Sequence, residues 1–199
     1  AKGAWPVRYS AGMRFPLALA LAAGLACAGP TAAAPCDPAS AEAQLERAEL
    51  GLARGAWPEA ARAFACAAAA SEDPALAERA TRAAFEQAQW VPALASARRW
   101  VALEPDREEA RRHLALLLLR RYDDSAASVE FSRILDTAYA DRTAGYEALL
   151  EILGEESNEQ GAAAVMERLA AADPGLAAAQ YALSVLWQRA ENGERALEA

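Results

Sequence analysis

This chain is poor in the residues from which most catalytic and metal sites are built. It holds one histidine, His113, and three cysteines in 199 residues. A lone histidine makes no metal site, so His113 is expected to be a solvated helix residue. No glycine-rich phosphate loop, G-x-S-x-G elbow, H-E-x-x-H helix or C-x-x-C pair occurs. Nothing points to a metal or cofactor, and the chain reads as non-enzymatic. β-Branched residues are sparse, which disfavours sheet. Basic residues are outnumbered, 20 Lys+Arg against 28 Asp+Glu, for a formal charge of −8. Lys2, Arg8 and Arg14 are the only charges before residue 37, so the remainder is more acidic still. That balance argues against nucleic acid or an anionic membrane surface as the main partner. The carboxylates are dispersed at helix-surface spacing, which is the pattern of a solvated face.

Long apolar runs are missing as well. The one candidate, Phe15 to Ala28, is too short and too alanine-rich to span a bilayer. It belongs to a stretch, 13–34, that begins with Met13 and Arg14 and ends in small residues, as a secretory signal peptide does. Cleavage is expected after Ala28 or Ala33, and 1–12 read as sequence from upstream of the true start. Gly24-Leu25-Ala26-Cys27 invites comparison with a bacterial lipoprotein box whose leucine is one place late. A lipid anchor at Cys27 would be the only membrane attachment. The alternative is a chance cysteine in a discarded leader. Residues 35–40 read as a linker. Cys36 and Cys66 outlast the leader. In an oxidising compartment a bridge between them would staple the N-terminal end. Otherwise Cys66, between Ala65 and Ala67, is plain helix packing.

What the chain does have is alanine, the best helix former, arranged in a repeat. Between Glu108 and Leu135 lie two short amphipathic segments. Leu114, Ala115, Leu118 and Leu119 stripe the first, and Ala127, Phe131, Ile134 and Leu135 stripe the second, at the 3.6-residue period. A turn at Tyr122 to Ser125 separates them. Neither helix is long enough to stand alone, so copies are required. Ala60, Ala93, Ala127, Ala162 and Ala196 recur at spacings of 33, 34, 35 and 34. Phe64, Ala97, Phe131 and Met166 follow four positions later, and Ala67, Trp100, Ile134 and Leu169 seven positions later. Pro74, Pro105 and Pro174 close most units.

The units are expected near 41–74, 75–107, 108–141, 143–176 and 177–199, the last incomplete. Helices are expected at about 41–54, up to 70, at 75–87, at 91–103 and at 162–172, with a polar turn from Gly154 to Gln160. Gly55 caps the first helix, and Ala88 and Tyr122 stand where the later turns would have glycine. Trp57 and Trp90, each two residues after a turn, are expected to pack the hairpins rather than hold a ligand. Trp187 is expected to face a further repeat. The final Ala196 to Ala199 lacks the polar cap of a terminal unit, as in a fragment of a longer repeat protein.

A helix–turn–helix unit of this length is the tetratricopeptide period, and 41–199 resembles the tetratricopeptide repeat (TPR) family. The resemblance implies an all-α fold: an α-solenoid of antiparallel helix pairs wound in a right-handed superhelix. It also implies that the first helices line a concave groove for a peptide or protein segment. By family position, the groove residues are Glu49, Glu78, Arg82, Phe85, Glu86, Arg112, Arg120, Glu147, Glu151, Tyr181, Gln188 and Arg189. Acidic and basic patches alternate along this set. The lysine and asparagine set with which chaperone-binding members clamp a terminal carboxylate is absent. The phrasing from Asp73 to Asp106, DPALAERATRAAFEQAQWVPALASARRWVALEPD, is similar to the opening repeats of proteobacterial envelope TPR proteins. Some of these are lipoproteins that act as adaptors for periplasmic processing proteases. The expected function is a protein-binding scaffold of the envelope. The alternatives are an assembly module of a secretion or polysaccharide-export machine and the regulatory array of a larger enzyme.

Overall fold

The computed structural model describes Cys36 and residues 40–190. The signal-peptide, upstream-segment and lipid-anchor expectations, and Ala196, lie outside the described residues. Nine α-helices follow one another, with no strand among the described residues: α1 (Ala41–Ala53), α2 (Trp57–Ala69), α3 (Pro74–Glu86), α4 (Trp90–Leu103), α5 (Glu108–Arg120), α6 (Asp124–Thr137), α7 (Arg142–Gly154), α8 (Glu159–Ala170) and α9 (Ala177–Arg189). Each of the first three pairs packs as a hairpin, and each hairpin's second helix packs on the next hairpin's first. This is an all-α, TPR-type solenoid of antiparallel helix pairs.

The repeating alanines explain the packing. Ala60, Ala93, Ala127 and Ala162 are all buried, as are Phe64, Ala97, Phe131 and Met166 four residues on. A small side chain lets two helix backbones approach. In the first, third and fourth units the larger Phe64, Phe131 or Met166 one turn later fills the space beside it, while the second unit has Ala97 there. Gly51 shows how close the first hairpin is. A Cβ built there would lie 2.9 Å from the Cβ of Ala60. Alanines supply most of the core around Phe64 and Trp100, whereas the larger core, which lies mainly on α4 to α9, mixes alanine with leucine and larger side chains.

The first three hairpins share one turn. Three residues join the helices, and the middle one is left-handed: Gly55 at φ 70°, Ala88 at 53° and Tyr122 at 62°. In each, the two backbone bonds of a Schellman cap recur. Ala56, Gln89 and Asp123 donate to the carbonyls of Gly51, Ala84 and Leu118, at 2.9, 2.8 and 3.0 Å. Gly55, Ala88 and Tyr122 donate to Leu52, Phe85 and Leu119, each at 3.0 Å.

Several boundaries differ from expectation. Pro74 does not close the first unit; it opens α3, with the Asp73 carboxylate accepting from the Ala75 amide at 2.9 Å. Proline lacks the donor that a first-turn residue does not use, so it fits there. Asp124 and Ser125 are the first residues of α6 because Asp123 is its cap, accepting from Ala126 at 3.1 Å. Glu159 and Gln160 belong to α8, capped by Asn158. Cys36 and Cys66 form a disulfide with Cα atoms 5.5 Å apart, which ties the chain before α1 to α2. Trp187 is buried in the core, and the further repeat it is expected to face lies outside the described residues.

Candidate functional site

The groove residues expected from the family register fall on α1, α3, α5, α7 and α9. On the first three of these helices, charges meet across the helix boundaries. Glu49 of α1 pairs with Arg79 of α3. Arg82 of α3 pairs with Glu78 one turn back, at 3.0 Å, and with Glu109 of α5, at 2.5 Å. Arg107 and Arg112 lie 3.8 and 4.0 Å from the same Glu109. Successive first helices thus lie side by side with their polar side chains interlocked on one open face. Glu86 is exposed on that face and borders a shallow cleft along α3 with Glu78, Arg79 and Arg82.

Arg120 is engaged from three directions. Its guanidinium lies 4.3 Å from the ring centre of Phe85 and 5.2 Å from that of Trp90. It also donates two bonds to the Glu156 carboxylate, at 2.9 and 2.7 Å. The Glu156 side chain is only 5% exposed, so the pair is close to a buried one. Asn158 donates to the Leu119 carbonyl at 2.9 Å. From the far side, Arg189 donates to the Glu156 carbonyl at 3.2 Å and pairs with Glu159 at 3.2 Å. Of the remaining expected residues, Glu147, Glu151, Tyr181 and Gln188 are exposed. No ion pair reaches Glu147 or Glu151 among the described residues.

His113 departs from the expectation of a solvated position. It is half-buried, with ring centroids 5.4 Å from Phe85 and 5.6 Å from Trp100. Its Nδ1 lies 2.9 Å from the Glu109 carbonyl. Burial disfavours the charged imidazolium and pulls its pKa below the usual histidine value; the Arg82 and Arg112 charges add to this, against the carbonyl contact and Glu109. Trp90 packs edge-on to Phe85, centroids 5.9 Å apart, as hairpin packing requires, while Trp57 is largely open to solvent.

Two polar clusters have no sequence signature. Arg111 and Glu130, on α5 and α6, form a 2.7 Å pair with each side chain only 11% exposed. Arg133 adds a 2.9 Å bond to Glu130. The Tyr146 hydroxyl lies 2.7 Å from the Asp173 carboxylate and 2.8 Å from the Leu169 carbonyl, and Arg142 bridges Asp136 and Asp173. Hydrogen bonding from Tyr146, then from Arg142, holds the Asp173 pKa below its usual value, and burial pushes the Tyr146 pKa up. Among the described residues no cluster of His, Cys, Asp or Glu fits a metal ion, and no helix is long and apolar enough to cross a membrane.

No protein-family model and no curated protein matches the chain. Solved structures of similar form include a crystal structure of MamA protein, with TM-score 0.45 and 16% identity over 79% of this chain and 86% of that one. MamA 41-end from Desulfovibrio magneticus RS-1 has TM-score 0.43 and 19% identity, over 79% and 89%. A tetratricopeptide repeat protein from Parabacteroides merdae has TM-score 0.44 and 17% identity, over 83% of this chain and 64% of its own.

Proposed function

We propose that this solenoid is a non-enzymatic protein–protein interaction scaffold, an adaptor of the bacterial cell envelope that holds a peptide or protein segment against its first helices. The supporting observation is the interlocked face of α1, α3 and α5, where Glu49–Arg79 and Arg82–Glu109 join adjacent helices. Side chains fixed on a rigid scaffold lose little freedom on binding, which favours recognition of an extended partner over many weak contacts. The Cys36–Cys66 bridge supports an oxidising compartment and hence export, in line with the signal-like stretch before it. A periplasmic processing protease, or its substrate, is the partner that the Asp73 to Asp106 resemblance favours.

The test is affinity capture from a periplasmic extract, with the wild-type chain and an Arg82→Glu/Glu86→Arg variant whose helicity is checked. Recovery of a processing protease or its substrates by the wild type, and their loss with the variant, is the expected result. Recovery of export-machine subunits instead would move the assignment to an assembly module. Capture that ignores the variant would remove the groove from the function.

A further inference from the structure

A second surface lies where the hairpin turns line up along one edge. Trp90, Arg120, Tyr122, Glu155, Ser157 and Asn158 line an open cleft of about 440 Å³ there. Its aromatic residues come from successive units. Trp90 is braced by Phe85. Tyr122 is 80% exposed and is itself the left-handed turn residue, so the Schellman backbone sets the direction in which its side chain leaves the turn. Paired aromatic faces offer apolar area together with a polar edge, at little entropic cost.

The charge in this cleft is one-sided. Arg120 is neutralised by both oxygens of Glu156. Glu155 then remains as the lining charge without a counter-ion. It continues a stripe along α7, because Glu147, Glu151 and Glu155 recur every four residues opposite the buried Tyr146, Leu149 and Leu153. Among the described residues no cation pairs with any of the three, whereas Glu49, Glu78 and Glu109 are all paired. Carboxylates four residues apart on a helix are about 6 Å apart along its axis. Alternate side chains of an extended peptide are spaced by about 6.6 Å. A strand with a basic residue at every second position therefore matches the stripe in both sign and spacing.

We propose that the Trp90–Tyr122 cleft and the α7 stripe form a docking site for a basic, extended polypeptide segment. Its Lys or Arg side chains pair with Glu147, Glu151 and Glu155, and the part of the segment that runs on past Glu155 lies against the two aromatic rings. This rests on the interaction-scaffold reading and deepens it: it names the chemistry of the partner at the α7 part of that face, where Glu147 and Glu151 lie, and at the turn edge beside it. Arg121 is exposed on the same turn, outside the cleft lining and in no ion pair among the described residues, and opposes such a partner.

Fluorescence anisotropy of the full chain with two labelled decapeptides, one alternating Lys and Ser and one alternating Glu and Ser, tests the proposal. The lysine peptide is expected to bind, more weakly as salt rises, and the glutamate peptide not to bind. Glu151→Gln/Glu155→Gln should weaken binding about tenfold, and Arg121→Gln should tighten it. The charge-matched control Glu46→Gln/Asp106→Asn should leave it unchanged. Binding that survives Glu151→Gln/Glu155→Gln, or falls equally with the control, overturns the site. So does binding of neither peptide, in which case partner capture alone decides the scaffold reading.

Discussion

The first three hairpins and the fourth solve the same problem in different ways. In α1–α2, α3–α4 and α5–α6 the turn closes on itself, through a three-residue link and two backbone bonds. The α7–α8 link has four residues, 155–158, and no left-handed residue. One turn bond remains, from the Glu156 amide to the Leu153 carbonyl at 3.3 Å. The two helices of this hairpin approach less closely than those of the first three, although the Tyr146 hydroxyl of α7 reaches the Leu169 carbonyl of α8, and α8 packs mainly on α6 and α9. What holds the turn comes from elsewhere: Arg120 and the Leu119 carbonyl on α5, and Arg189 on α9. A repeat that loses its local closure can keep its place if neighbouring units grip it. Its stability then depends on side chains rather than on turn geometry.

The largest effect is expected where the regular packing is most exacting. Ala127 is fully buried, and Ala127→Asp would place a carboxylate there without a partner. The expected cost is about 4 kcal/mol or more, a large share of a domain's stability. Loss of helicity, or a steep fall in melting temperature by circular dichroism, is the expected outcome. An unchanged melt would remove the register on which the comparison rests.

Reduction of Cys36–Cys66 should weaken the N-terminal hairpin and spare the fourth. The bridge closes a sequence separation of 30, for which chain entropy gives about 2–4 kcal/mol. Hydrogen exchange before and after reductant should speed up in α1 and α2 and leave α7 and α8 unchanged. The fourth hairpin should respond to Glu156→Ala instead. Removing a carboxylate from a nearly buried pair, with Arg120 still partly in water, should cost about 2–3 kcal/mol. Faster exchange confined to α7 and α8 is expected. Spread into α1–α4 would show that the units do not respond separately.

These differences mark what could be read in the sequence. The alanine period was legible because close helix approach demands a small residue at a fixed place. The turn at Gly55 was legible by residue type. Ala88 and Tyr122 were legible only by register, because neither residue prefers a positive φ. The open fourth hairpin left a single trace, the spacing of 35 between Ala127 and Ala162. Glu130 read as a solvated charge, like the other carboxylates, because its partner Arg111 lies 19 residues away. His113 read as exposed because Phe85 and Trp100 reach it from the preceding unit. The groove positions were legible by family register, but pairings such as Arg82 with Glu109 depend on which helices become neighbours.

Acid should separate the two regions more gently. The His113 pKa is lowered in the folded chain, so the unfolded chain takes up its proton first as pH falls. Stability is therefore full above about 6.5, the ordinary histidine value, and is lost as pH falls toward the folded pKa. A melt series from about pH 7.5 to 5.5 should show a decline that His113→Phe reduces. A decline that persists in the variant would assign it to other groups.

The smallest expected effect has the opposite sign. Tyr122 holds a left-handed conformation that costs a side-chain-bearing residue about 1–2 kcal/mol, and its ring is 80% exposed. Tyr122→Gly removes that cost and gives up little packing. Glycine's greater freedom in the unfolded chain offsets about 0.5–1 kcal/mol of the gain. A net stabilisation of about 0.5 kcal/mol is expected, read as a small rise in denaturant midpoint at constant slope. The same change at Ser157, where no left-handed residue is needed, should stabilise nothing. If both glycine variants behaved alike, the third and fourth turns would not differ in the way their backbones imply. If only Tyr122→Gly stabilised the fold while lysine-peptide binding weakened, this turn would carry strain that a glycine-capped hairpin avoids, and would carry it for the sake of a ring presented to a partner.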